Sequence, residues 1–252
     1  MNIKLNCDMG ESFGIYNLGL DSEIMPYIDM ANLACGFHAS DPMTMHKSIK
    51  SAKEHNLEIG CHPSYPDLVG FGRREMKCSE EEIVSLVLYQ LGALDAICKS
   101  YDTKLTYLKP HGALYNNMMS NEMIFKAIAK AISKYDSSLK LLILSSSKNQ
   151  HYQTLANKYN IRLLYEVFAD RAYNDDGSLV SRTQKGAVLS DLEMVLERAE
   201  LLFKTQTIKS ITGKYLKLEA DTLCVHGDNQ SALELIKMLA KMRSLATGKK
   251  RI

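Results

Sequence analysis

The chain has 252 residues, 46% hydrophobic and 24% charged, a globular composition long enough to bury a core without disulfide or metal staples. Its 31 basic and 29 acidic side chains leave a formal net charge of +2, which argues against charge-driven partners such as nucleic acid or an anionic membrane. The six cysteines form no Cys-x-x-Cys pair, which disfavours a zinc knuckle or a thioredoxin-type motif.

The opening "MNIKLNCDMGES" has no apolar signal core, and no 18-residue apolar run follows, so the expected location is cytoplasmic, with reduced thiols. Short apolar runs then recur at 2–6, 30–35, 57–61, 104–109, 139–144, 161–167 and 221–226. Each is bounded by polar residues, glycine or proline, the pattern of buried parallel strands. Helical patterns lie between them. Asp41-Pro42 reads as an N-cap followed by proline at the first helical position. Ser79 and Glu82 make a capping box before a stripe of Ile83, Val87, Leu91 and Leu94. Asn121 caps a helix bearing Ile124, Ile128 and Ile132. Ser190 with Glu193 repeats the capping box before Leu192, Val195, Leu196, Ala199 and Phe203. The last helix carries Leu235, Ile236 and Leu239 on one face.

Seven strand–helix units in this length predict a parallel (β/α) barrel over residues 1–252 as a single domain, with an open doubly wound sheet as the alternative. The stretch 207–220 breaks the rhythm. Two short strand-like runs flank Gly213-Lys214 there and predict an inserted β-hairpin.

The unusual polar residues fall at the C-terminal strand ends, the edge where parallel α/β folds bind ligands. Strand 1 runs into Asn6, Asp8 and Glu11, strand 2 into His38, and strand 3 into His62 and Arg73. Strand 4 ends in Lys109 and His111, strand 6 leads to Glu166, Asp170, Arg171 and Arg182, and strand 7 to His226 and Asp228. Taken singly, each has a structural explanation: a turn aspartate, a histidine bonded to a carbonyl, a helix cap. Their clustering on one inferred rim weakens those explanations together.

Two chemistries suit the set. Asp8, His38, His62 and His111 would be the ligands to test for a divalent metal holding a hydrolytic water. The same residues would serve metal-free acid–base attack on an amide, Asp8 as base and a histidine as acid, with Lys109, Arg73, Arg171 and Arg182 holding a carboxylate or phosphate. No G-x-x-x-x-G-K-[ST] or G-x-S-x-G motif is present. A covalent acyl enzyme is not favoured either, although Cys61 stands beside His62.

The blocks "LNCDMGESFG", "ANLACGFHASDP", "HPSYPDLVGFGRR", "LKPHGALYN", "EVFADRAYNDDGSLVSR" and "CVHGD" together resemble the LamB/YcsF family, the A subunits of bacterial 5-oxoprolinase, over essentially the whole chain. The resemblance implies a seven-stranded (β/α) barrel similar to the glycoside hydrolase/deacetylase superfamily. It implies ATP-dependent opening of 5-oxo-L-proline to L-glutamate in a complex with B and C subunits, and leaves homo-oligomerisation open. On this reading the rim residues Asp8, His38, His62, Lys109, His111 and Asp228 are the catalytic candidates. Asn6, Glu11, Arg73, Asp170, Arg171, Arg182 and His226 are then candidates for substrate binding. In related deacetylases an aspartate and histidines bind a metal. The family often continues Thr-Pro-Gly after "HGD", where this chain has Asn229, Gln230 and Ser231, so a local change in that turn is expected. The other readings are a stand-alone metal-dependent deacetylase or amidohydrolase, and a non-catalytic substrate-binding subunit.

Overall fold

Seven parallel strands close on themselves. In the computed structural model, which describes residues 3–181, 184–189, 191–225 and 230–247, the barrel strands are β1 (Lys4–Met9), β2 (Met30–Ala34), β3 (Glu58–His62), β4 (Leu105–Leu108), β5 (Lys140–Leu144), β6 (Arg162–Phe168) and β9 (Thr222–Val225). They hydrogen-bond in that order, and β9 pairs with both β6 and β1 to complete the ring. The remaining two strands, β7 (Thr207–Lys209) and β8 (Tyr215–Lys217), form an antiparallel hairpin outside the barrel, as the break in rhythm predicted. Gly213 turns this hairpin with φ +93°, a conformation glycine adopts without penalty. A closed barrel replaces the open-sheet alternative because no barrel strand is left with an unpaired edge.

The helices are α1 (Asp21–Ile24), α2 (Pro42–Glu54), α3 (Glu80–Ser100), α4 (Gly112–Ser120), α5 (Glu122–Asp136), α6 (Asn149–Asn157), α7 (Leu192–Thr205) and α8 (Gln230–Thr247). Their starts follow local chemistry. Asp41 accepts hydrogen bonds from the Met43 and Thr44 amides at the head of α2. Ser79 and Glu82 close the expected box on α3, satisfying two otherwise orphaned amides. The start of α7 differs from expectation. Asp191 is its N-cap, bonded to the Met194 amide 3.1 Å away, and Ser190 lies outside the described residues.

By length and composition α3 is apolar enough to cross a membrane. Its partners explain the composition otherwise. Ile83, Val87, Leu91 and Leu94 are buried in the shared core. Gln90 is buried too, and trades hydrogen bonds of 2.9 and 3.0 Å with the Ser64 backbone. Asp95 bonds the Tyr135 hydroxyl of α5. Those polar contacts tie the helix to the protein.

Two cores are stacked on the strands. Outward-facing residues such as Leu5, Cys7 and Met9 of β1 pack under the helices, while inward-facing residues fill the lumen. Met30, Tyr107, Leu142 and Leu164 form a small apolar plug inside the barrel. Tyr107 fits there because Gly60 sits opposite it on β3. A Cβ at Gly60 would overlap the Tyr107 ring. The Tyr107 hydroxyl points up and donates to Asn32 at 2.6 Å, so the plug is dry below and polar above.

Gly60→Ala is therefore expected to destabilise the barrel by about 1–3 kcal/mol through overpacking. Chemical denaturation of Gly60→Ala, Tyr107→Leu and the double variant checks this. The double variant should lose less than the sum of the two singles, because the smaller side chain removes the clash.

Candidate active site

Strand alternation decides which polar residues enter the lumen. In β1 the odd-numbered Leu5, Cys7 and Met9 face the helices, which leaves Asn6 and Asp8 on the lumen face. Tyr107 and Lys109 share one face of β4 and its extension, and Glu166 enters from β6. Pro110 and Gly112 end β4 sharply. Gly112 has φ +55°, and a Cβ there would stand 2.5 Å from the Gly72 carbonyl oxygen, which accepts from the Ala113 amide. The tight turn holds His111 over the barrel mouth.

Lys109 is the hub. Its Nζ, almost completely buried, lies 2.8 Å from Asp8 Oδ1, 3.3 Å from Glu166 Oε2, 3.3 Å from Asn6 Oδ1 and 3.3 Å from Cys224 Sγ. Asn32 donates to Asp8 Oδ1 at 2.7 Å and to Asn6 Oδ1 at 2.8 Å. Burial alone would lower the ammonium, but Asp8, then Cys224 and Glu166, carry it well above its ordinary value. Burial would likewise raise the Asp8 carboxyl, but His62 and Lys109 outweigh it and hold Asp8 well below the usual carboxylate range. Lys109 is thus a fixed cation, not a nucleophilic amine, and Asp8 is a fixed anion.

Beside this network stand three histidines. His62 Nδ1 lies 2.6 Å from the Lys109 carbonyl oxygen, and His111 Nε2 lies 2.9 Å from the Phe71 carbonyl oxygen. A carbonyl only accepts, so both nitrogens carry the hydrogen. The other nitrogens, His62 Nε2 and His111 Nδ1, then present lone pairs to each other at 3.0 Å. Two lone pairs do not sit at that distance unless a proton or a metal ion lies between them. His38 stacks on His111 with ring centroids 3.8 Å apart, and its Nε2 is 3.0 Å from Glu11 Oε1. Glu11, His38, His62 and His111 each bring a ligand atom within 4.8 Å of the others, a donor set that suits a divalent transition metal. Burial first, then the neighbouring histidines, lowers the His111 pKa to about 3. Burial and His62 also hold His38 well below its ordinary value. Both rings are therefore neutral and ready to ligate at pH 7.

The clusters share a cavity of about 650 Å³ lined by Asp8, Glu11, His62, Lys109, His111, Glu166, Arg73 and Arg171, among others. The expected set is thus largely brought together, although Asn6 and His38 are not in the lining and join it through Lys109 and Glu11, with three further differences. Among the described residues the carboxylate in the metal-type cluster is Glu11, because Asp8 Oδ1 is taken by Lys109 and Asn32, although Asp8 Oδ2 stays 3.4 Å from His62 Nε2. Asp170 is absent from the lining; its charge acts on Arg198 and Tyr173 instead. Arg182, His226 and Asp228 lie outside the described residues. Arg171 is pinned at the wall by the Ala187 and Val180 carbonyls at 3.2 and 2.9 Å. Arg73 stands at the mouth over the Phe71 ring. Cys61 points away from the lumen, its Sγ 3.4 Å from Cys35 Sγ, with burial pushing its thiol up, which removes it as a nucleophile.

Some lumen residues carry little or no signal in the sequence. The charge of Glu166 inside "IRLLYEVF" marks it as unusual for a buried strand, but not as a partner of Lys109. Asn32 and Tyr115 carry no mark at all, since each reads as an ordinary strand or helix residue.

The family model described as the LamB/YcsF family matches residues 3–249. The A subunit of 5-oxoprolinase from Vibrio campbellii is 49% identical over 98% of this chain and 96% of its own length. That of Vibrio cholerae is 51% identical over 93% and 94%. The crystal structure of the lactam utilization protein from Thermus thermophilus superposes with a TM-score of 0.91 at 38% identity, covering 98% of each chain. By its sequence over almost its full length and by its barrel, this chain belongs to the LamB/YcsF family.

Proposed function

We propose that this chain is the lactam-opening subunit of an ATP-dependent 5-oxoprolinase, converting 5-oxo-L-proline to L-glutamate together with B and C subunits. The observation that carries this reading is the cavity itself. A fixed cation, a fixed anion, and His62 and His111 of the histidine cluster face one cavity large enough for a small polar ring. The relatives' names, 5-oxoprolinase and lactam utilization protein, support the substrate class.

A five-membered lactam is a poor electrophile with a poor leaving group. Transfer of the ATP γ-phosphoryl group to the lactam oxygen, with loss of the ring N–H proton, makes an imidate that water attacks readily. Addition of water at the ring carbon then opens the C–N bond to give the free amine and a γ-glutamyl phosphate, and a second water hydrolyses that acyl phosphate to L-glutamate and phosphate. Lys109 stabilises negative charge in the cavity, and Arg73 and Arg171 bind the substrate carboxylate or the phosphate from the wall. Asp8 keeps Lys109 and His62 in place. Its low proton affinity suits that orienting task better than the base role expected from the sequence. A divalent ion held by Glu11, His38, His62 and His111 would supply Lewis-acid polarisation of the oxygen at the reacting centre. The chain lacks a P-loop motif, so the nucleotide is held by another arrangement, here or in a partner.

The cluster also supports a second reading, a stand-alone metal-dependent amidohydrolase that needs neither ATP nor partners. Substrate-dependent ADP release separates the two. Measured with and without the B and C subunits, it should appear only in the assembled complex. Glutamate formation by the lone chain without ATP would favour the second reading.

Asp8→Asn and His111→Gln in the assembled complex should each lower glutamate formation by about a hundredfold or more, scored as kcat. Full activity in both would remove the cavity from the chemistry. Metal analysis of protein purified without chelator should find a divalent ion, and Glu11→Gln with His38→Gln should lose it. Because the His111 pKa lies near 3, occupancy should persist as pH falls from 7 to 5. Ordinary histidines, with pKa about 6.5, would release the ion across that interval.

A further inference from the structure

Two polar atoms in the cavity wall have no use in the chemistry above. Glu166 is fully buried. Its Oε2 is held by Lys109 at 3.3 Å and by Asn6 Nδ2 at 3.5 Å, but its Oε1 has no hydrogen-bond partner among the described residues. Tyr115, on the first turn of α4, is buried as well, and its hydroxyl is likewise unpartnered among them. Both residues line the cavity. They are neighbours: after burial, the Glu166 carboxylate is the main influence pushing the Tyr115 phenol up. That influence includes an incipient hydrogen bond between them, but the two groups do not meet in full hydrogen-bond geometry. An unpaired buried polar atom is destabilising, so two side by side call for a ligand.

The pair is an acceptor beside a donor. A five-membered lactam is locked in the cis amide form, with its N–H and C=O on the same side of the ring. It therefore offers a donor beside an acceptor, the complement of this pair. An open-chain trans amide points the two groups in opposite directions and cannot meet both. We infer that Glu166 and Tyr115 recognise the cis amide edge of the substrate, Glu166 Oε1 accepting from the ring N–H and the Tyr115 hydroxyl donating to the ring carbonyl oxygen. This assignment rests on the lactam reading above and adds the residues that select a cyclic secondary amide. Lys109 and Asn6 act here as positioning residues. They hold Oε2 and so aim Oε1 toward the ring.

The test uses the assembled complex, 5-oxo-L-proline, and 3-oxocyclopentane-1-carboxylate as the analogue with CH2 in place of the ring N–H. In Glu166→Gln the donors Lys109 and Asn6 keep the amide oxygen facing them, which turns the NH2 group toward the ring N–H. The KM for 5-oxo-L-proline should rise about tenfold or more. The inhibition constant of the carbocyclic analogue should stay within about twofold, since it has no N–H to oppose. Tyr115→Phe should weaken both ligands about tenfold, because both keep the carbonyl, and should leave inhibition by L-proline, which lacks it, unchanged. Equal weakening of the lactam and the carbocyclic analogue by Glu166→Gln would overturn the assignment, leaving only a structural pair. So would Tyr115→Phe without effect on either. Absence of 5-oxo-L-proline turnover in the wild-type complex would instead overturn the functional reading beneath it, whatever the variants do.

Discussion

A buried ammonium group organises this barrel. Lys109 stands in the lumen with Asp8, Glu166, Asn6 and Cys224 within 3.3 Å. A charge so placed persists only when it is paired and hydrogen-bonded, because an isolated buried ion costs many kcal/mol. The partners enter from different strands: Asn6 and Asp8 from β1, Glu166 from β6, Cys224 from β9 and Lys109 from the end of β4. The network therefore forms only when the barrel has closed in its correct register, since a one-residue slip would turn each side chain out of the lumen. Such a network is weak evidence for stability in itself. What it secures is the position of charge.

The layering beneath it follows from the same constraint. Met30, Tyr107, Leu142 and Leu164 plug the lower lumen, and the Tyr107 hydroxyl is the junction between apolar floor and polar layer. Water is excluded from below, so the ion pairs above act in a medium of low polarizability, where their attraction and their effect on proton affinity are strong. That environment keeps Asp8 ionised, Lys109 charged and His38 and His111 neutral at the same pH. The histidine cluster owes its readiness to bind a cation to its burial as much as to its residue types.

Much of this is legible in the sequence. The seven apolar runs mark all seven barrel strands to within a few residues, because buried parallel strands must be short and continuously apolar. Asp8, His38, His62, Lys109 and His111 stand out as polar residues interrupting strand ends. What stays hidden depends on direction. Asp8 is expected among the metal-type ligands, but its carboxylate is shared between Lys109, Asn32 and His62, and Glu11 fills that place. Asp170 looks like a rim residue, but its chain position after β6 does not carry it to the cavity.

The residue order by itself determined the alternation of strands and helices, the inserted hairpin, most of the helix caps, the family and the edge where chemistry collects. These depend on local periodicity, turn chemistry and long sequence blocks, all readable along one dimension. The tertiary structure decided which atoms meet. It set His62 and His111 lone pair to lone pair, gave Lys109 its four partners, turned Cys61 toward Cys35 and left Glu166 Oε1 and the Tyr115 hydroxyl without a partner among the described residues. Those outcomes require barrel closure to bring residues more than a hundred positions apart to hydrogen-bonding distance. The two carbonyls that fix the histidine hydrogens, those of Lys109 and Phe71, come from backbone whose side chains announce nothing about it.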